Sequence, residues 1–355
     1  MRSIRWGILG TGWIAGAFAE GLRNAPGAVL AAVASRSAVN AQAFARRFGA
    51  TTAHDRYEAL LDDPSVDVIY IATPNEHHKT HCLMAIAAGK SVLCEKPFAL
   101  DAAESREVIE AARSRGVFCM EGMWSRCAPA FKQALAELRS GHIGEPFYLD
   151  AQLGLAKQLD PGSRLFEGPG AGALLDLAVY PLALAQAVFG PPQSVAATRV
   201  RGPSGADVHV SALLGYRDGH SASVSASLRS ELRNAARLHG PLGVLELHAP
   251  LYFCERYSIT PSHPAGEPAA VIPSAMRQFK QHRALRPTLD RLRGLRNSAR
   301  LKVMRHYPAG SGYSVEAIEV MRCLRSGENE SPDMPLDDTL AVMETVDRIR
   351  AVWNR

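Results

Sequence analysis

The sequence predicts a two-domain α/β protein: a doubly wound parallel sheet first, then a strand-rich domain with one face covered by helices. Three observations carry this. The chain has 355 residues, more than a single hydrophobic core comfortably serves. Its first 120 residues alternate short, almost continuously apolar runs with helical stretches, the signature of parallel strands buried on both faces. Beyond residue 190 the pattern changes to runs that alternate apolar and polar residues, as strands with one wet face do.

Taken in order, Ile4–Leu9 reads as a strand and Trp13–Leu22 as a helix. A strand at 29–34 and a helix at Ala38–Phe48 follow. The run VDVIYIAT at 66–73 is a strand, and 77–88 a helix closed by Gly89. A strand at 91–94, a helix at Ala102–Arg115 closed by Gly116, and a strand at 117–120 complete the first domain, drawn at 1–122. The second domain is drawn at 123–355. It holds a helix at 131–138, an extended stretch at 147–155, and a helix from 173 to 189 after the glycine-rich GPGAG. Strands are expected at 195–200, 208–216, 221–228, Ala236–Gly240 and 242–248, with Arg217-Asp218-Gly219 as a hairpin turn. Helices return at 312–325 and 336–352 and are expected to pack back on the body.

The turn after the first strand is Gly10-Thr11-Gly12-Trp13-Ile14-Ala15. It fits G-x-G-x-x-G/A between a strand and a helix, with further βα units behind it. The first glycine makes the tight turn, the second admits a pyrophosphate, and Ala15 allows close helix packing. The helix N-terminus then offers N–H groups to phosphate. A dinucleotide is the expected ligand. An NAD site wants an acid at the end of the second strand, yet no Asp or Glu occurs from Gly21 to His54. The strand ends instead in Ser35-Arg36-Ser37, which suits a 2′-phosphate, so NADP(H) is preferred and NAD(H) is the second choice. Ligands sit beyond the carboxyl ends of such strands. That rule places Thr73, Pro74 and Asn75, and Glu95, Lys96 and Pro97, at the cofactor crevice.

GTGWIA at 10–15, ATPNEHH at 72–78 and CEKP at 94–97, in that order and spacing, resemble the Gfo/Idh/MocA family of NAD(P)-dependent sugar and cyclitol oxidoreductases. MEGMWSRCAPA at 120–130 and GAGALLDLAVYPL at 170–182 are similar to its dihydrodiol and D-xylose dehydrogenase branch. The resemblance implies a Rossmann domain followed by an α/β domain on an open, mostly antiparallel sheet. It implies a catalytic, cofactor-contacting role for Lys96, a cis peptide before Pro97, and a catalytic pair at Asp176 and Tyr180. Many family members carry histidine at the last position; the tyrosine narrows the match to the dihydrodiol branch. It also implies His78 at the nicotinamide side and a homodimer or homotetramer.

Asp176 and Tyr180 lie four apart in a helix that is apolar nearly all round, so they share a face. A carboxylate in such a helix needs a partner or a task. The expected chemistry is hydride transfer between a carbinol carbon and nicotinamide. Tyr180 is the candidate acid/base, Lys96 the cation that lowers its pKa, and Asp176 the group holding substrate or the Lys/Tyr pair. Glu95 is expected beside the ribose. Trp124, Arg126 and, more weakly, Arg164 are expected to contact a small polyol or sugar substrate. A catalytically idle NADPH-binding sensor on the same fold is the alternative.

Other signals bound the function. His77 and His78 are adjacent and lack acid or thiol partners at ligand spacing, so no metal is expected. The six cysteines form no C-x-x-C pair and read as reduced core thiols of a cytoplasmic protein. No apolar run reaches membrane-spanning length. The start MRSIRWGILGTGWIAGAF loosely resembles a leader, but its glycine spacing fits the first βα unit better. Net charge is +5, unevenly placed: residues 277–306 hold ten Lys/Arg against one acid, Asp290. This segment reads as an insertion. A lid or dimer arm, weak binding to nucleic acid or membrane surface, and a solvated basic loop are its three readings; the last is the simplest, and no nucleic-acid partner is expected.

Overall fold

The computed structural model describes residues 2–160, 162–262, 302–308 and 310–353. Two sheets organise it. The first runs β3-β2-β1-β4-β5-β6, all parallel, from β1 (Ile4–Leu9), β2 (Ala28–Ala34), β3 (Thr52–His54), β4 (Val68–Ile71), β5 (Ser91–Glu95) and β6 (Cys119–Gly122). The strand order reverses between β1 and β4, which opens a crevice there. α1 (Trp13–Leu22), α2 (Ala38–Phe48), α3 (Tyr57–Leu61), α4 (His78–Ala87) and α5 (Ala102–Arg115) make the crossovers. β3 and α3 are too short to stand out in the sequence.

After α6 (Trp124–Cys127) and α7 (Pro129–Arg139), the second sheet runs β14-β13-β12-β11-β7-β10-β9-β8. Its strands are β7 (Tyr148–Gly154), β8 (Ser194–Arg201), β9 (Asp207–Gly215), β10 (Ser221–Ser227), β11 (Ala236–Gly240), β12 (Gly243–Leu247), β13 (Arg256–Pro261) and β14 (Lys302–Arg305). Among the described strands of this sheet, only the β7–β10 pair is parallel. Alternation decides the faces: Leu149, Ala151 and Leu153 of β7 and Ala222, Val224 and Ala226 of β10 are buried, while intervening serines are partly wet. The buried face packs on α8 (Val179–Phe189), whose apolar surface extends nearly all round. Arg217-Asp218-Gly219 makes the β9–β10 connection, with Asp218 at φ 59°.

Two C-terminal helices join the sheets. α9 (Gly312–Ser326) packs on α1, and α10 (Leu336–Trp353) packs on both α5 and α8. Of the basic segment 277–306, residues 302–306 are described: Lys302–Arg305 pair with β13 as an edge strand, and the remainder lies outside the described residues. The six cysteines are buried and unpaired. No described helix is long and apolar enough to cross a membrane.

Candidate active site

The dinucleotide turn has the form its glycines demand. Gly10 sits at φ +111°, and a Cβ there would meet the Ala72 carbonyl oxygen at 2.9 Å. That glycine lets the turn pass against the end of β4. Gly12 precedes α1 with no side-chain cap, no acid follows in the first turn, and the space a Cβ would take is open. The N–H groups of that turn are free for an anion. Trp13 beside them is 81% exposed, while Ala15 is fully buried against the sheet. This bare helix end, next to the β1/β4 reversal, fits the pyrophosphate of NAD(P). At the end of β2, Ser35 is buried and receives the Thr11 hydroxyl at 3.3 Å. Arg36 is exposed and has no hydrogen bond or ion pair among the described residues.

Two side chains brace the turn that delivers Lys96. Glu121 stands opposite Cys94 on β6 and accepts from the Phe98 N–H at 3.1 Å and the Thr339 hydroxyl at 3.1 Å. Burial pushes its carboxyl up to about 7. His78, fully buried, bridges the two loops: Nδ1 lies 2.8 Å from the Pro97 carbonyl and Nε2 2.9 Å from the Thr73 carbonyl. Burial lowers its pKa although both carbonyls favour the charged ring. The Lys96–Pro97 peptide is cis.

Lys96 then crosses to the second domain. Its ammonium donates to the Asp176 carbonyl oxygen at 2.7 Å and to Asp176 Oδ1 at 3.0 Å, and lies 5.1 Å from the centre of the Tyr180 ring. Asp176 belongs to a π-helical turn, Leu174–Ala178, that leads into α8. The sequence predicted one regular helix here. In a π register the Asp176 carbonyl looks to residue 181, but Pro181 has no N–H, and the lysine takes that oxygen. Asp207 fixes the start of the turn by accepting from the Leu174 N–H at 2.7 Å. Gly172, at φ +111°, admits the Asp207 carboxylate, which a Cβ would meet at 2.3 Å. Asn75 donates to the Gly170 carbonyl at 3.1 Å, so this expected cofactor residue clasps the two domains together.

A cavity of about 590 Å³ lies between the domains. Lys96, Asp176 and Tyr180 line it, with Trp13 and Ile14 on the dinucleotide side. Trp124, Tyr252 and Tyr313 form an aromatic wall; the Trp124 and Tyr313 rings are 4.5 Å apart. Arg164 and Lys157 are exposed cations on the same lining. Thr73, His78 and Glu95 also border it, whereas Pro74 does not appear on the lining. Arg126 departs from the sequence expectation. It is buried, pairs with Asp338 at 2.8 Å and donates to the Ala183 carbonyl, so it ties α6 to α8 and α10 rather than facing substrate.

The electrostatics also differ from expectation. Burial first, then the charges of Glu95 and Asp176, hold the Tyr180 hydroxyl well above its ordinary pKa. The Lys96 ammonium lies over the ring face, and its close partner is Asp176. Glu95 accepts the Tyr70 hydroxyl and, at 3.2 Å, the Lys96 N–H; burial raises its carboxyl pKa. Among the described residues, no group of three or more metal-type side chains converges. Sequence reasoning missed Glu121, Asp207, Lys157, Tyr252 and Tyr313. Glu121 lay within a quoted motif; the other four carry no local signal.

Residues 4–123 match the oxidoreductase family described by its NAD-binding Rossmann fold, and 131–246 match the GFO/IDH/MocA C-terminal domain. Trans-1,2-dihydrobenzene-1,2-diol dehydrogenase of Oryctolagus cuniculus is 33% identical over 348 residues, 97% of this chain and 96% of that protein. The Mus musculus enzyme of the same name is 34% identical over 352 residues, 98% of this chain and 96% of its own. Among solved structures, a 3-ketoreductase from Actinomadura kijaniata in complex with NADP and TDP-benzene superposes with a TM-score of 0.80 at 23% identity, covering 99% of this chain and 98% of that one. Levoglucosan dehydrogenase, in complex with NADH and levoglucosan, gives 0.80 at 21% identity, covering 99% and 97%. These two likenesses concern the fold.

Proposed function

The chain belongs to the Gfo/Idh/MocA oxidoreductase family, and from that premise we propose that it is an NADP-dependent dehydrogenase of vicinal diols or sugars. The observation that carries this reading is the meeting of Lys96, Asp176 and Tyr180 in one interdomain cavity beside the bare N-terminus of α1. The unpaired Arg36 and the absence of an acid on β2 support a 2′-phosphate, hence NADP(H). The named activity of the dihydrodiol dehydrogenase relatives supports the substrate class.

NADP(H), when bound, accepts or supplies the hydride. The chain's own residues handle the proton and the charge. In carbonyl reduction, the Tyr180 hydroxyl gives its proton to the substrate oxygen as the carbon receives hydride. Its raised pKa keeps it protonated through neutral pH, which is the form reduction needs. The Lys96 ammonium stabilises negative charge on the substrate oxygen and on the phenolate left behind. Asp176 fixes that ammonium through two oxygens of one residue. In alcohol oxidation the proton returns to Tyr180, so this direction favours alkaline pH. The aromatic wall of Trp124, Tyr252 and Tyr313 excludes water and offers ring faces to a flat or cyclic diol.

The test is reduction of NADP⁺ and NAD⁺ against trans-dihydrodiols, aldoses and cyclitols. Turnover with NADP⁺ and at least one diol or sugar is expected. Lys96→Ala and Tyr180→Phe lower kcat by about 10²–10⁴ while NADPH still binds. Turnover like wild type in either variant removes the mechanism. Tight NADPH binding without turnover on any substrate favours the sensor reading instead.

A further inference from the structure

Glu316 is a carboxyl the mechanism does not use. It lies on α9, is fully buried, and neither of its oxygens has a hydrogen-bond partner among the described residues. Its position is specific. A Cβ on Gly122 would lie 3.5 Å from Glu316 Oε2, 3.5 Å from the Glu95 Cα and 3.2 Å from the Cys94 carbonyl oxygen. Gly122 is the β6 residue paired with Glu95. Gly122 therefore places the Glu316 carboxyl in contact range of the strand end that carries Glu95 and Lys96.

We propose that Glu316 is a positioning residue that holds a proton behind the active site and sets, through Glu95, the charge facing Lys96 and Tyr180. Two carboxyls brought together in a dry site do not both ionise. The hydrogen bonds decide which one does. Glu95 receives the Tyr70 hydroxyl and the Lys96 N–H, donors that favour a carboxylate. Glu316 receives none, so the proton stays there. Burial and the Glu95 charge both push its carboxyl well above the usual range. The other titratable groups facing it are Tyr70 from β4, Tyr313 on its own helix, Cys127 from α6 and Tyr180 from α8. At neutral pH each of these is held uncharged, so Lys96, Asp176 and Glu95, with the exposed cations Lys157 and Arg164 on the lining, carry the site's charge. Ionisation of Glu316 as pH rises adds a negative charge that opposes ionisation of Tyr180.

The proton is tested on the ligand-free protein, and its effect on catalysis rests on the dehydrogenase reading above. Infrared difference spectra of wild type against Glu316→Gln at pH 7 should show a protonated carboxylic C=O band in the wild type alone. In Glu95→Gln, which keeps Glu316, that band should titrate about one pH unit lower because the neighbouring charge is gone. In NADP⁺-dependent oxidation of a trans-dihydrodiol, the rising limb of kcat against pH should move about one unit lower in Glu316→Gln. Absence of the difference band overturns the proposal, as does a band that Glu95→Gln leaves unmoved. A band with superimposable pH profiles overturns the link to Tyr180. Should the wild type oxidise no diol or sugar, the dehydrogenase reading fails, while the two infrared results still decide where the proton sits.

Discussion

At the scale of single residues, charge and partner count separate the roles. Lys96 is held by one residue's carbonyl and carboxylate, which fixes its ammonium at the Tyr180 ring. Arg36 is the opposite case, an exposed guanidinium with no partner among the described residues at the end of β2. A charge-assisted hydrogen bond to a phosphate contributes about 1.5–3 kcal/mol. Arg36→Ala should therefore raise the KM for NADP⁺ by about 10- to 100-fold and leave that for NAD⁺ nearly unchanged. Steady-state kinetics with both cofactors checks this; equal effects on the two would assign Arg36 to the solvated surface. Arg126 shows why residue type alone misleads. It has the chemistry of a substrate contact, but Asp338 and the Ala183 carbonyl engage it.

At the scale of elements, the turns that aim Lys96 and Asp176 into the cavity are held from behind. Glu121 on β6 braces the 95–98 turn from β5, with its carboxyl raised from 4.5 to about 7 by burial. The native state thus keeps a proton that the unfolded chain loses above pH 4.5. Stability then falls as pH rises from about 4.5 to about 7, by roughly 3 kcal/mol in all. Glu121→Gln removes that slope: its Tm should exceed that of the wild type at pH 8 and fall below or match it at pH 4.5. Thermal melts across this range read the sign. The π turn at Leu174–Ala178 is a second brace, set by Asp207 at one end and Pro181 at the other. The spacing of Asp176 and Tyr180 was legible in the sequence. The wider turn was not, because one of the two residues that set it, Asp207, lies 31 residues beyond Asp176.

At the scale of the molecule, α9 and α10 bind the two sheets into one body with the cavity between them. Asp338 of α10 accepts from both Arg126 and Gln186, and so connects α6 and α8. Removing one partner of a buried ion pair strands the other charge, at about 3–5 kcal/mol. Asp338→Ala should destabilise the protein by about 3 kcal/mol in urea unfolding, with the KM for NADP⁺ little altered because the pair lies off the cavity. A loss of cofactor affinity larger than the loss of stability would place this pair in the site instead.

The sequence by itself determined the parallel sheet, the phosphate turn, and the arrival of Lys96 at a strand end. Each is local: strand periodicity, glycine spacing and chain order are written in consecutive residues. It also determined that Asp176 and Tyr180 share a helix. Tertiary structure alone decided what those groups meet. It gave Lys96 to Asp176, engaged Arg126 with Asp338 off the cavity, made Asn75 a clasp, and brought Glu316 behind Glu95 from more than two hundred residues away. The physical reason is that hydrogen-bond partnership and desolvation depend on close approach in space. Neither is specified until the helices have packed and water has left the site.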